Sequence, residues 1–168
     1  MEKRIEEDRK KKIIKEIITY ASIIIIVVLI RTFIITPIRV SGPSMNDTLK
    51  NGQIILLKKI DKNIKRFDVV IFKYRNEKLI KRAIALPGET IQYKDNVLYI
   101  NWEKQDDYIT IGTNDFGPIT LEKDEYFLMG DNRGISLDSR KIGPVKKDKI
   151  LGTSNFSIFP FNKFGIFK

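Results

Sequence analysis

The sequence predicts a mainly β protein: an antiparallel, barrel-like sheet domain with a small inserted subdomain, preceded by one N-terminal transmembrane helix. Three observations lead there. A long uncharged run, "IITYASIIIIVVLI", follows a basic flank near the start of the chain. Beyond residue 40, short runs rich in Val, Ile, Phe and Tyr are punctuated by turn signals, the pattern of an antiparallel sheet. The 168 residues leave room for one modest domain and an appendage.

The apolar run starts at Ile17 and, with Arg31 near its end, continues to Thr36, a stretch of 20 residues. As a helix it measures about 30 Å, the thickness of a hydrocarbon core. Arg31 lies close enough to one end to snorkel to the interface, and Pro37 ends the pattern. Residues 1–16 hold seven Lys or Arg, so the positive-inside rule keeps this tail cytoplasmic and places residues 37–168 outside the cell membrane. A cleaved leader would need a small-x-small site, which "FIITPIRV" lacks. A buried helix of a soluble domain would show a polar face, and solid Ile and Val show none.

The strands follow in order. "GQIILLKKI" leads into a charged turn, "DKNIKR", and "FDVVIFKY" has strand-like density. "RNEK" reads as a turn and "LIKRAIALPGE" as a strand closed by Pro-Gly. "TIQYKDNVLYINWE" reads as a hairpin turning at Asp95-Asn96. The part between about residues 91 and 121 is the most polar and is the expected inserted subdomain. "ITLEKDEYFLMGDNRGISLDSRKIG" returns to the main sheet, and the aromatic-rich "KILGTSNFSIFPFNKFGIFK" closes it.

The chain has no Cys and no His, which removes thiolate catalysis, the Ser-His-Asp triad and the usual imidazole zinc site. No metal or cofactor is expected. A hydrolase built from this chain needs a hydroxyl nucleophile and a tuned Lys, Asp, Glu or Tyr as base. Ser44 stands in "VSGPSMNDTLK", where Gly42 and Pro43 constrain the backbone beside it. Lysine acts as a base only when burial lowers its pKa from about 10.4. Lys81 fits: by period-two counting Leu79, Lys81, Ala83 and Ala85 share one strand face, with Ile80, Arg82, Ile84 and Leu86 on the other. A third segment, "MGDNRGISLDSRKIG", places Ser136, Asp138 and Arg140 at alternate positions. In an extended strand these would project to one side, where an Asp-Arg pair can brace a loop and a Ser hydroxyl can hold an amine.

The formal charge is +10, and residues 1–36 contribute 8 basic and 5 acidic side chains, leaving about +7 for the rest. No recognition helix, zinc-finger spacing or aromatic RNA-binding signature accompanies that charge, so no nucleic-acid partner is expected. Anionic lipid headgroups are the better match.

Together, the anchor with "RTFIITPIRVSGPSM", then "KRAIALPGE", "GDNRGISLDSRKIG" and the "FPFNKFGIF" close resemble bacterial type I signal peptidases over nearly the whole chain. The resemblance implies a largely β catalytic domain, with Ser44 as nucleophile and Lys81 as general base. It implies that Ser136 orients the lysine, that Asp138 and Arg140 brace the site, and that Gly42 and Met45 position the loop and its oxyanion donors. The implied partners are preproteins bearing signal peptides with small residues at P1 and P3, and membrane lipid; contact with a translocon stays open at this point. Two positions depart from the family pattern. Gly42 stands where some members carry a hydroxyl that helps bind the oxyanion, and Asp47 where a proline is usual. Two other readings stay open at this point. One is a specialised Ser-Lys processing peptidase acting on a pilin or conjugation substrate; the other is a membrane-anchored binding module with an inert dyad.

Overall fold

The computed structural model describes residues 2–46, 48–59, 63–107, 109 and 113–167; the side chains of residues 2–5 and 8 lie outside this description, as does the centre of the expected charged turn at 60–62. Two compact units divide the chain, residues 1–35 and 36–168. The first is α1 (Glu2–Phe33), whose segment Arg9–Phe33 is long and apolar enough to cross a membrane. Its Ile, Val and Leu side chains are exposed from Ile13 to Ile30. The helix starts well before Ile17, aided by the i,i+4 pairs Lys10–Glu6 and Lys11–Glu7. It also stops three residues short of Thr36. Pro37 disfavours helical backbone at the residue before it, so Thr36 instead joins strand β1 (Ile35–Arg39).

Among the described residues the second unit is built from two antiparallel sheets. The larger has nine strands, in the order β10-β9-β4-β3-β11-β2-β12-β13, with β1 also paired to β2. These are β2 (Ile54–Lys58), β3 (Val69–Tyr74), β4 (Glu77–Ala85), β9 (Glu125–Met129), β10 (Val145–Lys146), β11 (Ile150–Ser154), β12 (Phe156–Phe159) and β13 (Gly165–Ile166). Among the described residues no ladder joins the ends of this path. The smaller sheet, β7-β6-β5-β8, comprises β5 (Thr90–Lys94), β6 (Val97–Ile100), β7 (Glu103–Gln105) and β8 (Phe116–Thr120).

Hairpin turns set the registers. Asp95 and Asn96 both take positive φ between Lys94 and Val97, which pair directly, as a two-residue turn of matching twist requires. A second such turn, at Asn101 and Trp102, separates β6 from β7. Nothing in the composition of "INWE" announces it, because bulky residues rarely accept φ > 0. The β3–β4 turn is Arg75-Asn76 alone, and Glu77 and Lys78 already belong to β4.

The second sheet is not free-standing. Ile91, Tyr93, Leu98 and Ile100 bury themselves against Ile84, Ala85, Phe127 and Met129 of the main sheet, forming one continuous core cluster. A second cluster holds Val40, Met45 and Leu49 together with Ile55, Leu57, Val69, Ile71 and Ile80. A third packs Val70, Phe72 and Ala83 against Tyr126, Leu128, Val145 and Ile150. Strand β4 runs between β3 and β9, and Ile80 through Ala85 are buried without exception. That burial supplies the dry setting the site needs.

The expected face of β4 holds for its first three members and then breaks. Leu79 and Lys81 lie opposite Phe72 and Val70, on one side of the sheet. Between Ala83 and Ala85 the register with β9 shifts by a bulge, an inserted residue that ends strict alternation. Ala85 therefore packs with Ile84, and Leu86 with Ala83.

Candidate active site

Ser44 sits in a loop that the core holds at two points. Met45 and Leu49 are buried, and both Thr48 N–H and Leu49 N–H donate to the Met45 carbonyl. Gly42 has φ +83°, and no atom lies within 4 Å of where its Cβ would stand. Space would admit a side chain there; the left-handed backbone is what favours glycine. Its N–H donates to Asn51 Oδ1 at 3.0 Å. Asp47, the position lacking the family proline, lies outside the described residues.

Lys81 Nζ reaches Ser44 Oγ at 2.8 Å and donates also to the Ile80 carbonyl at 2.9 Å. The residue is 2% exposed. Burial lowers the amine from 10.5 to about 8, against the opposing pull of the Asp138 and then the Asp131 carboxylates. An ammonium here donates to both oxygens. On losing a proton, the amine turns its lone pair to the Ser44 hydroxyl and keeps a donor for Ile80, so the contact reverses direction without moving a heavy atom.

Ser136, Asp138 and Arg140 do come together, although not by strand alternation. Residues 131–138 are irregular and lead into the short helix α2 (Ser139–Ile142), with Asp138 as its N-cap. Asp138 is fully buried and accepts from Gly130 N–H at 3.0 Å. Arg140 grips it through Nε at 2.9 Å and Nη2 at 2.8 Å. Burial by itself would raise the Asp138 pKa, but the Arg140 and Gly130 hydrogen bonds and the Arg140 charge carry it below the usual carboxylate value. Arg140 also ties to the Arg133 carbonyl at 2.7 Å. Ser136 is buried, and among the described residues its Oγ has no formed hydrogen bond. The expected bond from Ser136 to the lysine is not made in this state.

Gly130 explains how closely these parts pack. A Cβ there would lie 2.2 Å from Ser136 Oγ and 2.6 Å from the Ser44 carbonyl oxygen, so the three segments can meet only across a residue without a side chain. Gly130→Ala is expected to cost about 1–3 kcal/mol through forced backbone movement. The check is a lower urea midpoint at unchanged slope.

Several residues at the site escaped sequence reasoning. Arg82, next to Lys81, points to the opposite face of β4 and clasps Asp131 with Nε at 2.8 Å and Nη2 at 2.7 Å. It also donates to Thr48 Oγ1 and the Phe67 carbonyl, while the Thr48 hydroxyl donates to Asp131 at 2.5 Å. This buried cluster bolts the Ser44 loop, β4 and the segment after β9 together. A legible signal did exist: an arginine inside the apolar strand "KRAIALP" needs a buried partner. Asn132 contributes through its backbone, donating N–H to the Ser44 carbonyl at 3.0 Å.

Comparison with known proteins bears on this geometry. The family described as "Signal peptidase, peptidase S26" matches residues 10–159. A signal peptidase I of Bacillus amyloliquefaciens is 41% identical over 158 residues, covering 83% of this chain and 84% of the relative. Signal peptidase IB of Staphylococcus aureus (strain COL) is 33% identical over 180 residues, covering 92% of this chain and 94% of the relative. A crystal structure of a signal peptidase I from Enterococcus faecalis V583 aligns at 34% identity and a TM-score of 0.49, over 54% of this chain and 95% of that one. With a family match spanning most of its length and relatives above 30% identity covering 83% and 92% of it, the chain belongs to the peptidase S26 family of signal peptidases.

Proposed function

We propose that this chain is a membrane-anchored serine endopeptidase that removes signal peptides from exported preproteins, with Ser44 as nucleophile and Lys81 as base. The observation that carries the reading is the buried Lys81 amine, 2.8 Å from Ser44 Oγ, with its pKa lowered to about 8. Neutral Lys81 takes the Ser44 proton as Oγ bonds to the scissile carbonyl carbon. Collapse of the tetrahedral intermediate breaks the C–N bond, and the Lys81 ammonium returns its proton to the amine of the departing mature protein. Lys81 then takes a proton from water as its oxygen attacks the acyl carbon; the Ser44 Oγ–C bond breaks, Oγ recovers the proton from Lys81, and the signal peptide leaves as a carboxylic acid.

The developing oxyanion needs preorganised donors. Ser44 N–H makes no hydrogen bond among the described residues and is the first donor. Gly42 supplies no hydroxyl, and its own N–H is held by Asn51, so a second donor must come from elsewhere. Met45 keeps the loop seated, and Asp138 with Arg140 holds the Gly130 backbone against it. Ser136, buried with its Oγ unpaired among the described residues, is the hydroxyl assigned to orient the Lys81 amine. The substrate segment carries small residues at P1 and P3 and binds extended, pairing with an open strand edge. Residues 91–121 serve as the inserted subdomain.

The apolar helix spans the cell membrane with residues 1–16 cytoplasmic, and the domain acts outside, near the translocon. Phe161, Phe164 and Ile166 are 83%, 62% and 75% exposed. With the basic surplus they suit a lipid surface bearing anionic headgroups.

The test is cleavage of a labelled preprotein by the detergent-solubilised chain as a function of pH. Only the deprotonated amine is a base, so kcat/KM should fall on the acid side with a midpoint near 8. At pH 6, two units lower, about 1% of the plateau should remain. A profile still rising above pH 10 would remove Lys81 from the role of base.

A further inference from the structure

The loop that holds the Ser44 carbonyl is fastened on a side none of the three sequence motifs accounts for. Arg133 follows Asn132 directly, and its side chain is fully buried. Its Nε donates to the Gly130 carbonyl at 3.1 Å. Its two terminal nitrogens turn away, toward the smaller sheet and the connection between β7 and β8. Nη1 and Nη2 bind the two oxygens of Asp107 at 2.7 and 2.9 Å. Nη1 lies also within 3.1 Å of the Tyr93 hydroxyl and 3.2 Å of Thr113 Oγ1. The Tyr93 hydroxyl donates in turn to Asp107, and the guanidinium sits over the Tyr93 ring, 5.8 Å from its centroid.

Arg133 therefore uses all three of its nitrogens, and two of them are committed to residues of the 90–120 region. A buried, bidentate guanidinium–carboxylate pair is rigid and directional. What it holds is the segment Gly130–Asn132. That segment takes Asp138 on the Gly130 N–H, Arg133 on the Gly130 carbonyl, and gives the Asn132 N–H to Ser44. Asp138 and Arg140 brace one side, and Asp107 supplies the other.

We propose that Asp107 is a positioning residue for Ser44, acting through Arg133 and the Gly130–Asn132 turn, so that the smaller sheet forms part of the catalytic apparatus. This rests on the reading of Ser44 as nucleophile. The role assigned to Asp107 is indirect: it decides where the Ser44 carbonyl, and with it the hydroxyl and N–H of the same residue, stand.

The experiment uses the full chain in detergent with a labelled preprotein, scored per folded molecule. Ser44→Ala is the reference: cleavage by it would overturn both the nucleophile reading and this proposal. With Ser44→Ala inactive, Asp107→Asn should lower kcat about 10- to 100-fold, the range expected for a small misplacement of a reacting group. KM should stay within about twofold, the acid limb should stay near pH 8, and Asp107→Glu should recover part of the loss. Asp107→Asn also leaves Arg133 buried without its counter-charge, and lost stability alone would mimic a functional effect. The double variant Asp107→Leu/Arg133→Met removes both charges, a change that commonly restores stability. Positioning predicts that its thermal midpoint recovers while kcat stays low. A kcat that returns along with the midpoint, or a folded Asp107→Asn within about twofold of wild type, would overturn the proposal and leave the Ser44–Lys81 reading standing.

Discussion

Replacing Lys81 with Met is expected to abolish signal-peptide cleavage, lowering kcat/KM by about 10⁴–10⁶-fold, as does loss of nucleophile or base in other serine peptidases. Met preserves the length and fills the same apolar slot, so fold and activity separate cleanly. Indeed stability should rise. The native Lys81 pKa of about 8 lies below its unfolded value of 10.5, so between those pH values the unfolded chain binds more protons. Wild-type stability therefore climbs with pH across that window and carries its full penalty below it. Lys81→Met has no such penalty, and the two chains should differ most below about pH 8. Ser44→Ala should match Lys81→Met in lost activity while leaving the pH dependence of stability in place. Cleavage of a labelled preprotein, read beside chemical denaturation at pH 7 and pH 10, checks both halves. A well-folded Lys81→Met retaining a tenth of wild-type activity would sink the dyad.

The second large effect lies on the far side of β4. Asp131→Ala strands Arg82, a 4% exposed side chain whose guanidinium was bound bidentately. Breaking a buried pair by removing one partner costs about 3–5 kcal/mol, since the other charge stays uncompensated. Denaturant unfolding should show that loss as a lower midpoint. The exposed Lys146–Glu122 pair, at 3.6 Å, provides the contrast, because disrupting such a pair usually costs less than about 1 kcal/mol. Asp131 also raises the Lys81 pKa through its charge. In the folded fraction of Asp131→Ala the acid limb of activity should accordingly move to lower pH. An unchanged limb would mean that Asp131 acts on fold alone.

Much of the fold was legible locally. The apolar run, the β-branched strands and the Asp95-Asn96 turn each depend on neighbours within a few residues, and local preference carried them. Helix boundaries were less legible. Pro37 was visible as a stop, but its reach back to Thr36, and the helical winding of the charged flank, depend on backbone sterics and on i,i+4 pairing. The Asn101-Trp102 turn was hidden because the sheet imposes a conformation that Trp does not prefer.

Candidate site residues divide along the same line. The strand pattern and the absence of His and Cys made Lys81 a candidate, and the resemblance carried by the three motifs together singled it out. Ser136, Asp138 and Arg140 were legible as a motif, while the geometry imagined for them was wrong. An N-cap and a one-turn helix, rather than an extended strand, gather them. Asp107 and Arg133 were not legible at all, being 26 residues apart on segments that meet only through the packing of two sheets.

By itself, then, the sequence determined the fold class, the span that suits a membrane and the residue types open to chemistry, because each follows from composition, periodicity or a short motif. Tertiary structure alone decided that Lys81 is dry, that its amine faces Ser44 and that three segments meet at Gly130, where a Cβ would not fit. It also decided which buried charges neutralise one another. Desolvation and pair geometry depend on what folds over a residue from distant parts of the chain, and no local pattern records that.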